Sequence, residues 1–118
     1  MSAESEFYAA MTASAGLVAL IGGRFFPDAI PEDSDLPAVV YQRAGTTPIV
    51  TIGGLQVAEI VRFTLSAWSA TRTGADAVAD QIVAVLTTVG NPVVDRSTGY
   101  DPETGFHAVT IEADWWRA

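Results

Sequence analysis

Between Leu55 and Trp68, apolar and polar residues alternate with a period of two. Leu55, Val57, Val61, Phe63, Leu65 and Ala67 fall on one side of an extended chain, and Gln56, Arg62, Thr64 and Ser66 on the other. That pattern constrains the fold more than any other run, because it reads as a long strand with one buried face. Fully extended, it spans ~46 Å at ~3.3 Å per residue. A compact domain of 118 residues is only roughly 35 Å across. The strand must therefore bend at a bulge, or its first third must leave the body of the protein.

The remaining elements follow from spacing and punctuation. A helix is expected from about Ala3, with Phe7, Tyr8, Met11 and Ala15 on one face and Glu4 and Glu6 at its start. Gly16 interrupts it, Ser14 can cap a second short helical turn, and Gly22-Gly23 end that turn by accepting positive φ. Arg24-Phe25-Phe26 fits a short strand, and Pro27 to Pro37 a loop. Ala38 to Thr47 reads as a strand in which Pro48 marks an edge or a bulge. Gly53-Gly54 reads as a two-residue hairpin turn into the long strand. Thr73, with Asp76 three residues on, starts a helix whose apolar stripe is Val78, Ala79, Ile82, Val83, Leu86 and Val89, and Gly90-Asn91-Pro92 stops it. Val93 to Ser97 and Gly105 to Trp116 form a second antiparallel pair around the turn Asp101 to Gly105. The expected architecture is a single α+β domain, residues 1–118, with an antiparallel or mixed sheet of about four main strands and two helices packed on one face. Ile60, Trp68 and one of Trp115 and Trp116 then fall on the uncovered face, which points to self-association.

Chemistry is scarce. The chain has no cysteine and one histidine, which removes disulfides, thiolate nucleophiles and Cys/His zinc sites; no cofactor and no metal is expected. Glu32-Asp33-Ser34-Asp35 lacks the order of a calcium loop and reads as solvated. Asp95, Asp101 and Glu103 flank a turn with no nucleophile or oxyanion donor placed beside them, and His107 has no partner of its own kind. Gly22-Gly23-Arg24 follows a helix instead of preceding one, so it is no phosphate loop. No catalytic residue is assigned. The run Phe7 to Gly23, 17 residues with Thr12, Ser14 and three glycines, is short for a membrane span, and Glu4 and Glu6 stand where a signal peptide needs cations. A cytoplasmic site of synthesis and no membrane partner are expected.

Charge is unevenly placed. All six basic residues are Arg, the net charge is −8, and residues 1–36, 37–74 and 75–118 carry −5, +2 and −5. Such a balance disfavours a grip on nucleic-acid phosphates. The uncharged, β-branched stretch Thr46 to Val57 would be an aggregation-prone edge if left bare. The segment from Gly45 to about Ile60 is therefore expected to project as a hairpin arm against a neighbouring subunit. Its candidate interface residues are Thr46, Pro48, Ile49, Val50, Ile52, Leu55 and Val57.

Several strings, in order, carry a resemblance: Leu17 to Phe26 with its Gly-Arg-strand close, Leu36-Pro37-Ala38-Val39-Val40-Tyr41, Ser66-Ala67-Trp68-Ser69, the Ala/Val-rich helix after Thr73, and the Tyr100-Asp101 to Gly105 hairpin. Together they resemble the tail completion, or tail terminator, proteins of long-tailed bacteriophages and phage-like gene transfer agents. Trp115-Trp116 is not part of that pattern. The resemblance implies a virion structural protein with no enzymatic activity. It implies a homo-oligomeric ring, a hexamer, at the head-proximal end of the tail, which stops polymerisation of the tail tube protein and receives the head–tail connector protein. DNA would pass through the ring without specific binding. A head-completion or head–tail adaptor ring shares the small size, and a small α+β ligand-binding domain would need a pocket with convergent polar groups.

Overall fold

The computed structural model describes residues 3–30, 35–91 and 93–117. Glu32, Asp33 and Ser34 of the acidic run, and Pro92 of the helix stop, lie outside the described residues. The elements are α1 (Ala3–Thr12), α2 (Ala15–Ile21), β1 (Phe25–Pro27), β2 (Ala38–Val50), β3 (Gln56–Ser69), α3 (Arg72–Val89), β4 (Val93–Asp101) and β5 (Phe106–Arg117). The five strands form one sheet in the order β1-β2-β3-β5-β4. Only β1 runs parallel to its neighbour; all other pairs are antiparallel. The class is α+β as expected, with one strand and one helix more among the described residues than the four main strands and two helices counted from the sequence. The added strand is the short one expected at Arg24-Phe25-Phe26, found at Phe25–Pro27. The added helix is the short turn expected after Ser14, whose hydroxyl accepts from the Leu17 N–H at 3.3 Å.

Gly16 and Gly22 have separate structural reasons. Gly22 ends α2 in the left-handed region, φ 61°, where its N–H reaches the Val18 carbonyl at 2.7 Å. Gly16 sits so close to the Gln81 side chain of α3 that a Cβ there would collide with the amide oxygen. The two helices thus pack through a missing side chain.

The start of α3 differs from the expectation. Thr71, not Thr73, is the N-cap, its hydroxyl accepting from the Gly74 N–H at 3.0 Å. The Ser69 hydroxyl accepts from the Thr71 N–H at 3.4 Å and so tightens the turn out of β3, which moves the helix start two residues earlier. Of the expected stripe, Val78, Ala79, Ile82 and Leu86 are buried and Val83 partly so; Ala75 and Val85 join them, while Val89 is exposed.

The three helices share one face of the sheet. There the odd positions from Val61 to Ala67 on β3 and from Val109 to Trp115 on β5 meet Phe7, Met11, Leu17, Ile21 and the stripe of α3. Phe63, Leu65, Ile82 and Leu86 are fully buried in this core. Tyr41 is buried beside Phe7 and Phe25. Burial holds its phenol above the ordinary value near 10, with the charges of Glu4, Tyr8 and Asp28 adding to the shift.

Two expected outcomes follow from this packing. Leu86→Ala should cost roughly 2–5 kcal/mol of unfolding free energy, and an unchanged denaturation midpoint would contradict the core assigned to α3. The raised Tyr41 value means that the folded state holds the phenolic proton more tightly than the unfolded chain. That contribution is complete below about pH 10 and is lost as pH rises through the folded value. In alkaline unfolding titrations Tyr41→Phe should therefore lose stability less steeply than the parent; coincident curves would contradict the assignment.

Candidate subunit interface

The sheet is asymmetric along its strands. β3 pairs with β2 along nearly its whole length, from Trp68 with Ala38 to Gln56 with Val50. On its other side it pairs with β5 only from Ser69 with His107 to Glu59 with Arg117. Beyond Glu59 the ribbon has two strands alone among the described residues, and the molecule is correspondingly elongated, 53 × 28 × 22 Å. The long strand thus resolves its length in both ways the pattern allowed. Register shifts interrupt the β2–β3 ladder between Arg43 and Gly45 and between Ile49 and Val50, and the distal third leaves the body.

The tip is wider than the two-residue Gly53-Gly54 turn expected. Thr51 and Leu55 close it: the Thr51 N–H donates to the Leu55 carbonyl at 2.8 Å, and the Thr51 carbonyl accepts from Gly54 at 2.9 Å. The Thr51 hydroxyl also accepts from the Leu55 N–H at 3.1 Å. Gly54, at φ 87°, supplies the left-handed residue that a three-residue loop needs, which is why the turn takes one residue more than the Gly-Gly signal implies.

Each candidate interface residue lies on this ribbon. Thr46, Pro48, Val50, Ile52, Leu55 and Val57 are exposed, Ile52 completely so, and Ile49 is half-buried. Thr46 and Pro48 sit lower, opposite Val61 and Glu59, where β5 still backs β3; Ile49, Val50, Ile52, Leu55 and Val57 belong to the free distal part. Val57 falls at the register shift between Ile49 and Val50, and Leu55 lies in the loop before β3, so the strict alternation of the body stops on the arm and both side chains are exposed.

Charged groups fasten the base of the arm. Arg117, at the end of β5, lies 3.0 Å from Glu59 and 2.8 Å from Glu6 of α1. Arg43 donates through Nε to the Thr46 hydroxyl at 2.9 Å and lies 3.7 Å from Glu4. On the uncovered face of the sheet Arg62 donates to Asp114 through Nε at 2.9 Å and Nη2 at 3.3 Å, and the hydrogen bond with that carboxylate pushes the guanidinium pKa up. This pair closes one end of a 430 Å³ open depression lined by Ala44, Gly45, Thr46, Thr47 and Ile60. Exposed pairs of this kind set geometry more than stability.

The same face carries Ile60 opposite Trp116, and Trp68 opposite Ala108. Trp115 points the other way and is buried, with its ring edge-on to Phe7 at 5.5 Å, so the tandem tryptophans divide between core and surface. Beyond Tyr41, β2 has β3 as its one neighbour among the described residues, in line with the edge that Pro48 and the uncharged run from Thr46 indicate. β4 has only β5 among the described residues, and no residue pattern marks that second edge, because strand order cannot be read from periodicity.

Among the described residues no three metal-ligating side chains come together. Asp101 accepts from the Glu103 N–H at 3.0 Å and serves its turn, and His107 packs on Tyr100 with ring centroids 4.8 Å apart.

The chain was compared with known proteins. A solved structure described as the virion of a native gene transfer agent particle contains a chain of the same fold, with a TM-score of 0.70 at 18% identity, covering 92% of this chain and 88% of that one. No curated protein matches. The family model described as tail completion protein gp17 matches residues 5–118. With the arm, the five-stranded sheet and the helical face all inside that match, the chain belongs to the tail completion protein gp17 family.

Proposed function

We propose that this chain is a tail terminator: a virion structural protein, without enzymatic activity, that forms a ring at the head-proximal end of a phage-type tail tube. There it stops tube polymerisation and joins the tail to the head connector. Family membership over residues 5–118 carries the reading. The arm supports it, since a two-stranded ribbon bearing exposed Val50, Ile52, Leu55 and Val57 is a poor surface for a free monomer and a good one for a contact between subunits. A ring of six such subunits would carry a large negative charge, from −8 per chain, and DNA in transit would be repelled at short range instead of held.

Removing the gene from a producing strain tests this function. Tails made without the chain should be of uncontrolled length and unjoined to heads. The intact chain supplied in trans should restore them. A variant with residues 48–56 replaced by a short Gly/Ser turn should fold and yet fail to restore them. Normal tails made without the chain would contradict the terminator reading; full restoration by the short-armed variant would contradict the role of the arm.

A further inference from the structure

The strand order leaves two bare edges on opposite sides of one sheet. One is β2 from Gln42 to Val50, since β1 covers only Val39, Val40 and Tyr41. The other is β4, nine residues from Val93 to Asp101, and the bare part of β2 is of the same length. β4 presents a row of backbone donors and acceptors, and so does β2, interrupted there by Pro48, which has no N–H, and by the register shift between Arg43 and Gly45. We propose that these two edges pair with each other between successive copies of this chain, β2 of one subunit against β4 of the next, so that the sheet runs continuously around the ring. The inference rests on the terminator reading above and specifies the contact that builds its ring.

Three observations fit this occupant. The first is polarity. β2 is antiparallel to β3, β3 to β5 and β5 to β4, so in subunits related by rotation about the ring axis β4 of one runs antiparallel to β2 of the next. That is the pairing which extended edges form readily.

The second is stagger. Across one subunit Asp95 lies level with Glu112, Thr64 and Gln42, and Ser97 level with Thr110, Ser66 and Val40. Bringing either residue opposite Thr47 of the next subunit requires a slide of four to six ladder positions, the difference between Ile60, level with Thr47, and Thr64 or Ser66. That is ~13–20 Å along the strands for four strand steps of ~4.8 Å. The strands would incline about 35–46° to the ring axis, close to the tilt of about 35–45° at which closed barrels form. The slide also accounts for the arm, which extends beyond its own β5 because it lies along a neighbour's β4.

The third is charge. The bare stretch of β2 carries Arg43 and no acid, net +1, and β4 carries Asp95, Arg96 and Asp101, net −1. Because the two edges are different surfaces, the contact is head-to-tail and closes into a ring instead of stopping at a dimer.

The chain's lack of cysteine allows a direct test. Thr47, Asp95 and Ser97 are all exposed, and each pairs with an even-numbered, outward-facing position of the sheet. Within one subunit two strands separate β2 from β4, so a disulfide between them must join two copies. Tails assembled from Thr47→Cys/Asp95→Cys or Thr47→Cys/Ser97→Cys, then oxidised, should give on non-reducing gels a ladder ending at the ring size. Single-cysteine variants should give dimers at most. The same particles imaged by electron microscopy report whether the ring is present. A ring with no ladder from either pair overturns the edge pairing and leaves the terminator reading standing; tails with no ring of this chain overturn both.

Discussion

The ring of Phe7 holds the molecule together at the place where body becomes arm. It stacks on Phe63 with centroids 4.2 Å apart, meets Trp115 edge-on, and touches Phe25 and Tyr41 at 6.0 and 5.7 Å. One helical side chain thereby contacts β1, β2, β3 and β5. A helix of ten residues has marginal stability alone, so α1 depends on this docking. Docking in turn brings Glu6 to Arg117 and Glu4 to Arg43, at the base of the ribbon.

From that point the two halves of the long hairpin have opposite fates. Toward Ser69 the odd positions of β3 are sealed beneath three helices, and burial supplies the stability of the domain. Toward Ile52 the ribbon runs on with its side chains exposed, and its register shifts twice, between Arg43 and Gly45 and between Ile49 and Val50. Hydrophobic surface that contributes nothing to folding the monomer is available to stabilise an assembly. The uncovered sheet face, with Arg62 paired to Asp114 and tryptophans at its margins, is a second surface left open to contacts.

Much of this was legible in the residues because local physics decides it. The β3 alternation, the α3 stripe, the Ser14 cap and the Gly22 stop each depend on neighbours within a few positions, and the structure places them where spacing does. The arm was legible from length alone, since a strand of that reach does not fit within a compact body. Other features depend on distant partners. Thr71 displaces Thr73 as a cap because Ser69 shapes the preceding turn, and the tip loop gains a residue because Thr51 closes it. Trp115 is core because Phe7, a hundred residues earlier, stands beneath it. The order β1-β2-β3-β5-β4 was beyond reach for the same reason, and with it the edge at β4.

Cryo-electron microscopy of tails carrying this chain, with its subunits located and counted, bears most directly on the claim that it terminates the tube. The expected result is one closed ring of six copies, at the head-proximal end and nowhere else. Copies distributed along the tube, or single copies at any position, would contradict it.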